Sequence, residues 1–551
     1  MFRLRVCLLL GLTTASAYGL QDATTMQQQQ RASRAERPEE KPAHELSTEQ
    51  RKRANQLLKN ATANTSDLSP AMRAYALSQL ARAYSLTQPA KVPSLLEDAF
   101  QAALGMAPEE RFKSDLEQDI LSQLLPVDRA KAEELLPQAE PSARKSVMST
   151  LTERYIREKK FDQAHDEIQQ IAQIDEFPYG AAIKLMLALP KEEAGLKQSI
   201  FSEALASYVA HSHKNRFSSG DFAEMVVRFH RILPANQIIQ AIDEIFKQAK
   251  ETDLTVRVGS AGGNATFNSY YEYRLFELLP ALRDVDPGRA EDLLRDYQNV
   301  QALSKQYPNG LQSLDPTLGD TPPSDKQRSD LSFNVSSGKS GPAPRIENDP
   351  NIRQAIKQIE DLSHKDPAQA LSQARALPVR DGRAYPRRGA LLAVISNSWK
   401  EKPTIARSAL QELVKSADDL EAADKVDQYI DAARAYIKME ENEEAQKLLE
   451  KCQGFANDAI RQDANADNPN KALKAYWPSA NAWRKIIRTA QQISPDLPAQ
   501  LAKEVGDPEI KVLAQIELAK AVSGAPSGET VVAIQRQNQN SMMRMSDRDE
   551  Q

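Results

Sequence analysis

Asp286-Pro287-Gly288-Arg289-Ala290-Glu291-Asp292-Leu293-Leu294 shows how a helix of this chain begins and what it packs against. An aspartate before a proline is a helix start. The side chain accepts from unpaired first-turn amides, and a proline in the first turn gives up an N–H that had no partner. Ala290 then lets a neighbouring helix approach, and Leu293-Leu294 fall on the same face one turn later.

The pattern returns along the whole chain. It reads Gln88-Pro89-Ala90-Lys91-Val92 with Leu95-Leu96, Asp128 with Ala132 and Leu135-Leu136, and Asp366-Pro367 with Ala370. It reads again as Lys402-Pro403 with Ala406 and Ala409-Leu410, and as Asn442 with Ala445 and Leu448-Leu449. Each instance is expected to open the second helix of a hairpin. First helices are expected at Pro70 to Tyr84 and Pro508 to Val522, which share the spacing from proline to Leu80-Ala81-Arg82-Ala83-Tyr84 and Leu518-Ala519-Lys520-Ala521-Val522. The fold class that follows is all-α, an α-solenoid of antiparallel helical hairpins. One segment departs from it: Leu254-Thr255-Val256-Arg257-Val258 alternates, Gly259-Ser260-Ala261-Gly262-Gly263 can turn and Ala265-Thr266-Phe267 can return, so a short β-hairpin is expected over 254–267.

Tyr429-Ile430-Asp431-Ala432-Ala433-Arg434-Ala435-Tyr436, followed by Ala445, Leu449 and Cys452, resembles a tetratricopeptide repeat. Leu151, Tyr155, Ala164 and Ile168 repeat part of it, with the interval from Tyr155 to Ala164 matching that from Tyr436 to Ala445. Asn457 stands where the family has its terminal proline, and successive units are unevenly spaced. The resemblance implies a divergent solenoid between the tetratricopeptide and HEAT-like forms, whose usual work is protein–protein contact.

Met1-Phe2-Arg3-Leu4-Arg5 is cationic, Val6 to Leu12 is apolar and Ala15-Ser16-Ala17 is a small-x-small cleavage site, the order of a secretory signal peptide over 1–17. The expected plan continues with a disordered tail over 18–44, a helical-repeat domain over 45–304, a disordered linker over 305–349, a second helical-repeat domain over 350–524 and a tail over 525–551. The linker expectation rests on turn formers such as Pro308-Asn309-Gly310 and Pro322-Pro323 without helical periodicity. Beyond the signal no apolar run is long enough to cross a bilayer, and Cys452 is the only cysteine, so no internal disulfide can form there. Export to a bacterial periplasm or cell envelope is expected, with an extracellular destination as the alternative.

The formal net charge of −5 argues against a nucleic-acid partner. No cofactor or metal site is expected. Asn264 follows the glycine run where a phosphate loop needs its lysine, and His211-Ser212-His213 point to different sides of a helix with no second cluster to complete a zinc site. His165-Asp166-Glu167 lacks the second histidine of a metalloprotease motif, no Gly-x-Ser-x-Gly elbow is present, and pairs such as Glu133-Glu134 do not converge on a helix.

Two surface candidates for a protein partner remain. Arg380, Arg383, Arg387 and Arg388 crowd the entry to the helix at Gly389 to Trp399, where an anionic partner would offset charge opposing the helix dipole. Tyr476, Trp477 and Trp483 lie among Arg484, Lys485 and Arg488, a composition common at interface hot spots and equally common in cores. The expected function is a non-enzymatic scaffold for protein–protein interaction, its oligomeric state open. Two alternatives stand beside it. One is a cell-wall protein related to the superhelical part of lytic transglycosylases, although no Glu-Ser dipeptide carries that catalytic acid here. The other is a purely structural envelope component whose halves pack on each other.

Overall fold

The structure is a computed structural model that describes residues 46–108, 110, 112–211, 221–252, 254–260, 263–315, 332–336, 350–381, 384–466 and 471–527. The expected signal peptide and N-terminal tail lie outside the described residues, as does the C-terminal tail beyond Ser527. The chain is all-α with one small sheet. Its first helices are α1 (Thr48–Ala63), α2 (Pro70–Thr87), α3 (Val92–Leu104), α4 (Lys113–Leu124), α5 (Arg129–Leu135), α6 (Pro141–Arg157), α7 (Phe161–Ile174), α8 (Tyr179–Ala188) and α9 (Ala194–Ala210). There follow α10 (Phe222–Phe229), α11 (Ala235–Lys250), strands β1 (Thr255–Ser260) and β2 (Gly263–Phe267), α12 (Tyr270–Val285), α13 (Pro287–Asp296), α14 (Gln298–Gln306), α15 (Leu311–Leu314) and β3 (Ser332–Ser336). The last part holds α16 (Pro350–Lys365), α17 (Pro367–Ala376), α18 (Pro386–Ser398), α19 (Pro403–Lys415), α20 (Ala422–Lys438), α21 (Asn442–Asn465), α22 (Pro478–Ile493), α23 (Leu497–Leu501) and α24 (Pro508–Ser523).

The recurring sequence pattern opens α3, α5, α13, α17, α19 and α21, and each packs on the helix before it as the second member of a hairpin. The caps are those the residues dictate. Asp286 accepts from the Arg289 amide, Asp366 from Ala368 and Gln369, and Asp128 from Lys131. The two hairpins with the shared tyrosine-to-alanine interval, α6–α7 and α20–α21, share one turn. Lys159 and Glu440 both have positive φ, at 58° and 63°. The next amide bonds back to Tyr155 in one and Tyr436 in the other, at 2.9 Å in both. Glycine adopts this conformation without the Cβ penalty, so Lys159→Gly and Glu440→Gly are each expected to stabilise the fold by about 0.5–1 kcal/mol, read from the urea midpoint.

Even-numbered helices touch their even-numbered neighbours all along the array, whereas odd-numbered ones rarely touch each other. Helices on the inside of a curve lie closer together, so the even layer lines the inner side. The order in space is not the order in sequence. α24 packs against α1 and α2, so the series runs from α16 to α24 and continues through α1 to α14. The pair α24–α1 is itself a hairpin, one helix supplied by each end of the chain. Ser69, ahead of α2, bonds to Glu509 in the first turn of α24, and Asn64 at the end of α1 meets Gln515 at 2.8 Å. α1 therefore runs back along α24, and the chain enters and leaves at the same end of the pair.

The expected linker is ordered in part. α14 and α15 extend the helical region to Leu314, and β3 adds to the hairpin, giving the antiparallel order β2-β1-β3. β1 and β2 pair as the alternation requires, Val256 opposite Phe267 and Val258 opposite Ala265. Pro308-Asn309-Gly310 forms a tight turn rather than a disordered stretch, because Tyr307, Leu311 and Leu314 are buried around it. Gly310 has φ +58°, and a Cβ there would stand 2.9 Å from the Phe276 carbonyl oxygen, which Pro280 cannot bond for want of an N–H. Gly310→Ala is expected to cost about 1–2 kcal/mol, seen as faster amide exchange in α14 and α15. Between β3 and α16 only residues 337–349 remain, a reach of about 50 Å at full extension. The even layer is roughly 100 Å along its contour at 8–10 Å per helix. The array therefore bends back toward its own start.

Candidate interaction surface

Arg383 lies outside the described residues. The other three arginines around the entry to α18 are engaged within the chain. The Arg380 guanidinium stands 3.8 Å from Glu421. Arg387 donates from Nε to the Leu377 carbonyl at 2.8 Å. Arg388 forms an ion pair with Asp431 of α20 at 2.6 Å. An anionic partner at Arg380 or Arg388 would have to compete with carboxylates already beside them, whereas Arg387 bonds only a neutral carbonyl among the described residues.

Arg388–Asp431 is one rung of a ladder between successive even helices. Lys485 of α22 reaches Asp427 of α20 at 2.7 Å, Arg488 of α22 reaches Glu517 of α24 at 2.5 Å, and Arg82 of α2 reaches Asp119 of α4 at 2.5 Å. Lys184 of α8 pairs with Glu153 of α6, and Arg274 of α12 with Asp221 ahead of α10 at 2.5 Å. Charges on these inner helices thus fix neighbour to neighbour.

Tyr476, Trp477 and Trp483 are 4%, 3% and 0% exposed, which corrects their reading as a surface. They are an interface, but one inside the chain. The segment before α22 crosses to α2 and α4 and sets the Tyr476 ring edge-on to Tyr75 and Phe112, with centroids 6.1 and 4.8 Å away. Lys474 anchors the segment to Asp507 and Glu509 at 2.6 and 3.1 Å. Trp483 is packed in the core, and its indole N–H has no acceptor among the described residues. Trp483→Phe is therefore expected to cost about 1–2 kcal/mol in urea unfolding, the lost ring area alone.

Between α22, α24 and α2 lies a buried charged seam. Arg484 is 2% exposed and donates to the Ala475 carbonyl at 2.9 Å, to Asn481 at 2.7 Å and to the Tyr75 hydroxyl at 3.1 Å. Lys520 donates to Gln79 at 2.7 Å. Burial pushes the Lys520 ammonium down to about 7 against the pull of Glu517, and Arg484, Arg488 and Arg82 push the same way. Burial would raise Glu517, but Lys520, Arg488 and Arg484 outweigh it and hold the carboxyl below its ordinary range. Pattern reading of α24 finds Glu517 and Lys520 on a helix of small and apolar residues; only the spatial neighbours reveal why they are inside.

Among the described residues no helix is long and apolar enough to cross a membrane, and no group of histidine, cysteine and carboxylate side chains is placed to hold a metal ion. No known protein family matches the chain, and no curated protein matches it in sequence.

Proposed function

We propose that this chain is an exported, non-enzymatic scaffold of the cell envelope, built from divergent tetratricopeptide-like hairpins, that holds another protein. The observation that carries the reading is a rim of exposed apolar side chains. Of the four large apolar side chains exposed among the described residues, Leu86, Val127 and Ile232, at 48%, 47% and 56%, each sit where an even helix passes to the odd helix after it, at α2–α3, α4–α5 and α10–α11, whereas Val209, at 50%, lies at the end of α9. The even helices run side by side in one direction, so these turns emerge along one edge. Single exposed apolar residues are ordinary; alignment on one edge favours protein contact.

The test places a photo-crosslinking residue at Leu86 or Val127 in the mature protein within its native envelope, with mass spectrometry of what is captured. A reproducible protein partner, lost in Leu86→Asp and Val127→Asp variants that still fold, is the expected result. Capture of wall fragments alone, or of nothing, would sink the scaffold reading. The seam favours a second reading, a purely structural component whose halves clasp each other. Residues 46–315 and 350–527 expressed separately should then bind one another, and independent folding without binding would count against it.

A further inference from the structure

The seam joins residues up to 451 positions apart and contains no covalent bond. Each contact across it has one side in 46–315 and the other in 350–527: Lys520 with Gln79, Arg484 with Tyr75, Asn64 with Gln515, Glu509 with Ser69, and Tyr476 between Tyr75 and Phe112. None of these contacts depends on both sides belonging to one molecule. The covalent tie between the two sides is residues 316–349, whose described part, β3, pairs with β1.

The order of synthesis adds a second argument. α1 and α2 are made first, and the helix that covers them is made last. At about 5–20 residues per second, roughly half a minute or more separates α2 from α24. Throughout that interval the side of α2 bearing Tyr75 and Gln79, both 2% exposed in the finished fold, has no cover. A copy of the chain already carrying α22 and α24 presents the complementary side.

We propose that a second copy of this chain closes the seam by exchange. Residues 350–527 of each copy dock on α1 and α2 of the other, giving a two-fold dimer in which both split hairpins are complete. The exchanged and unexchanged forms bury the same contacts, so no new surface has to evolve. The balance between them is set by the concentration of copies against the effective concentration that the covalent connection imposes. Exchange therefore belongs to crowded folding, and the dilute native protein keeps the form it reached, because leaving it requires opening the charged seam. This inference does not rest on the scaffold reading.

Asn64 and Gln515 supply the test. In a Cys7→Ser, Cys452→Ala background, Asn64→Cys is made in one full-length chain and Gln515→Cys in another. The two are unfolded together, refolded at high concentration, and treated with a short bis-maleimide. The double variant, refolded dilute, shows whether the seam forms within one chain. The expected result is a covalent product of twice the single-chain mass from the mixed refolding, and an internally linked monomer from the double variant. Monomer alone from the mixture, while the double variant links internally, overturns the proposal. So does the absence of any crosslink in either sample, since the seam itself would then be missing.

Discussion

Deleting residues 46–68, which removes α1, is expected to strip amide protection from α24 at the opposite end of the sequence. α1 is the hairpin partner of α24 and buries Ala54, Leu58 and Ala61. All three are fully buried, and losing the Leu58 side chain costs about 2–5 kcal/mol before the rest of the helix is counted. A total on the order of 5 kcal/mol is a large part of the stability of any single domain. Hydrogen exchange with mass spectrometry should show protection in α24 and α22 falling by about a thousandfold or more, while α16 to α18 change little. If α24 keeps its protection, the split hairpin is wrong. The companion experiment should leave stability intact: joining Ser527 to Leu46 with a short loop and opening the chain within 316–331 converts the split hairpin into an ordinary one. Leu46 and Ser527, the ends of the described residues, lie at one end of the pair, so the permuted chain is expected to fold with the midpoint of the parent.

The second large effect is at Glu517. Its carboxylate is 2% exposed and carries Arg488 at 2.5 Å, with Lys520 and Arg484 nearby. Glu517→Gln keeps the volume and removes the one buried anion among these cations, so the expected cost is about 3–5 kcal/mol. The same cluster fixes the sign of the pH dependence. The folded Lys520 ammonium is depressed from 10.5 to about 7, so between those values the unfolded chain binds one more proton. Stability from this group is full above 10.5, is lost as pH falls toward 7, and is flat below. The depression of Glu517 adds a second loss as pH drops below 4.5 through its lowered value. Lys520→Met should abolish the upper phase, on the order of 4 kcal/mol, and leave the lower one. The groups facing Lys520 are Glu517, Arg484, Arg488, Arg82 and Gln79, and no shift in midpoint between pH 10 and pH 7 would show that the ammonium is not buried as described.

Much of the local structure was legible in the residues. The aspartate and proline starts mark second helices because capping is satisfied within a single turn. The interval shared by Tyr155–Ala164 and Tyr436–Ala445 marks two hairpins with one turn geometry, since the length of an αα turn selects its dihedrals. The alternation over 254–267 marks a hairpin of strands for the same local reason. The site was legible only in part. An aromatic and cationic stretch at 476–488 reads as an interface from composition, and composition cannot say whether the partner is another molecule or the other end of the same chain.

By itself, then, the sequence determined where helices start and stop, that they pair as hairpins, and that one stretch must be β. Those outcomes depend on residues within a few turns of one another, where caps, turn chemistry and periodicity act. Only the tertiary structure decided that α24 and α1 form one repeat, that β3 and α15 belong to the fold, and that Arg388, Tyr476 and Trp483 face inward. These depend on which faces are complementary across several hundred residues. Lys520 meets Gln79, and Tyr476 meets Phe112, because α24 stacks directly on α1 and α2 in the middle of the array, which sets the two ends of the sequence side by side.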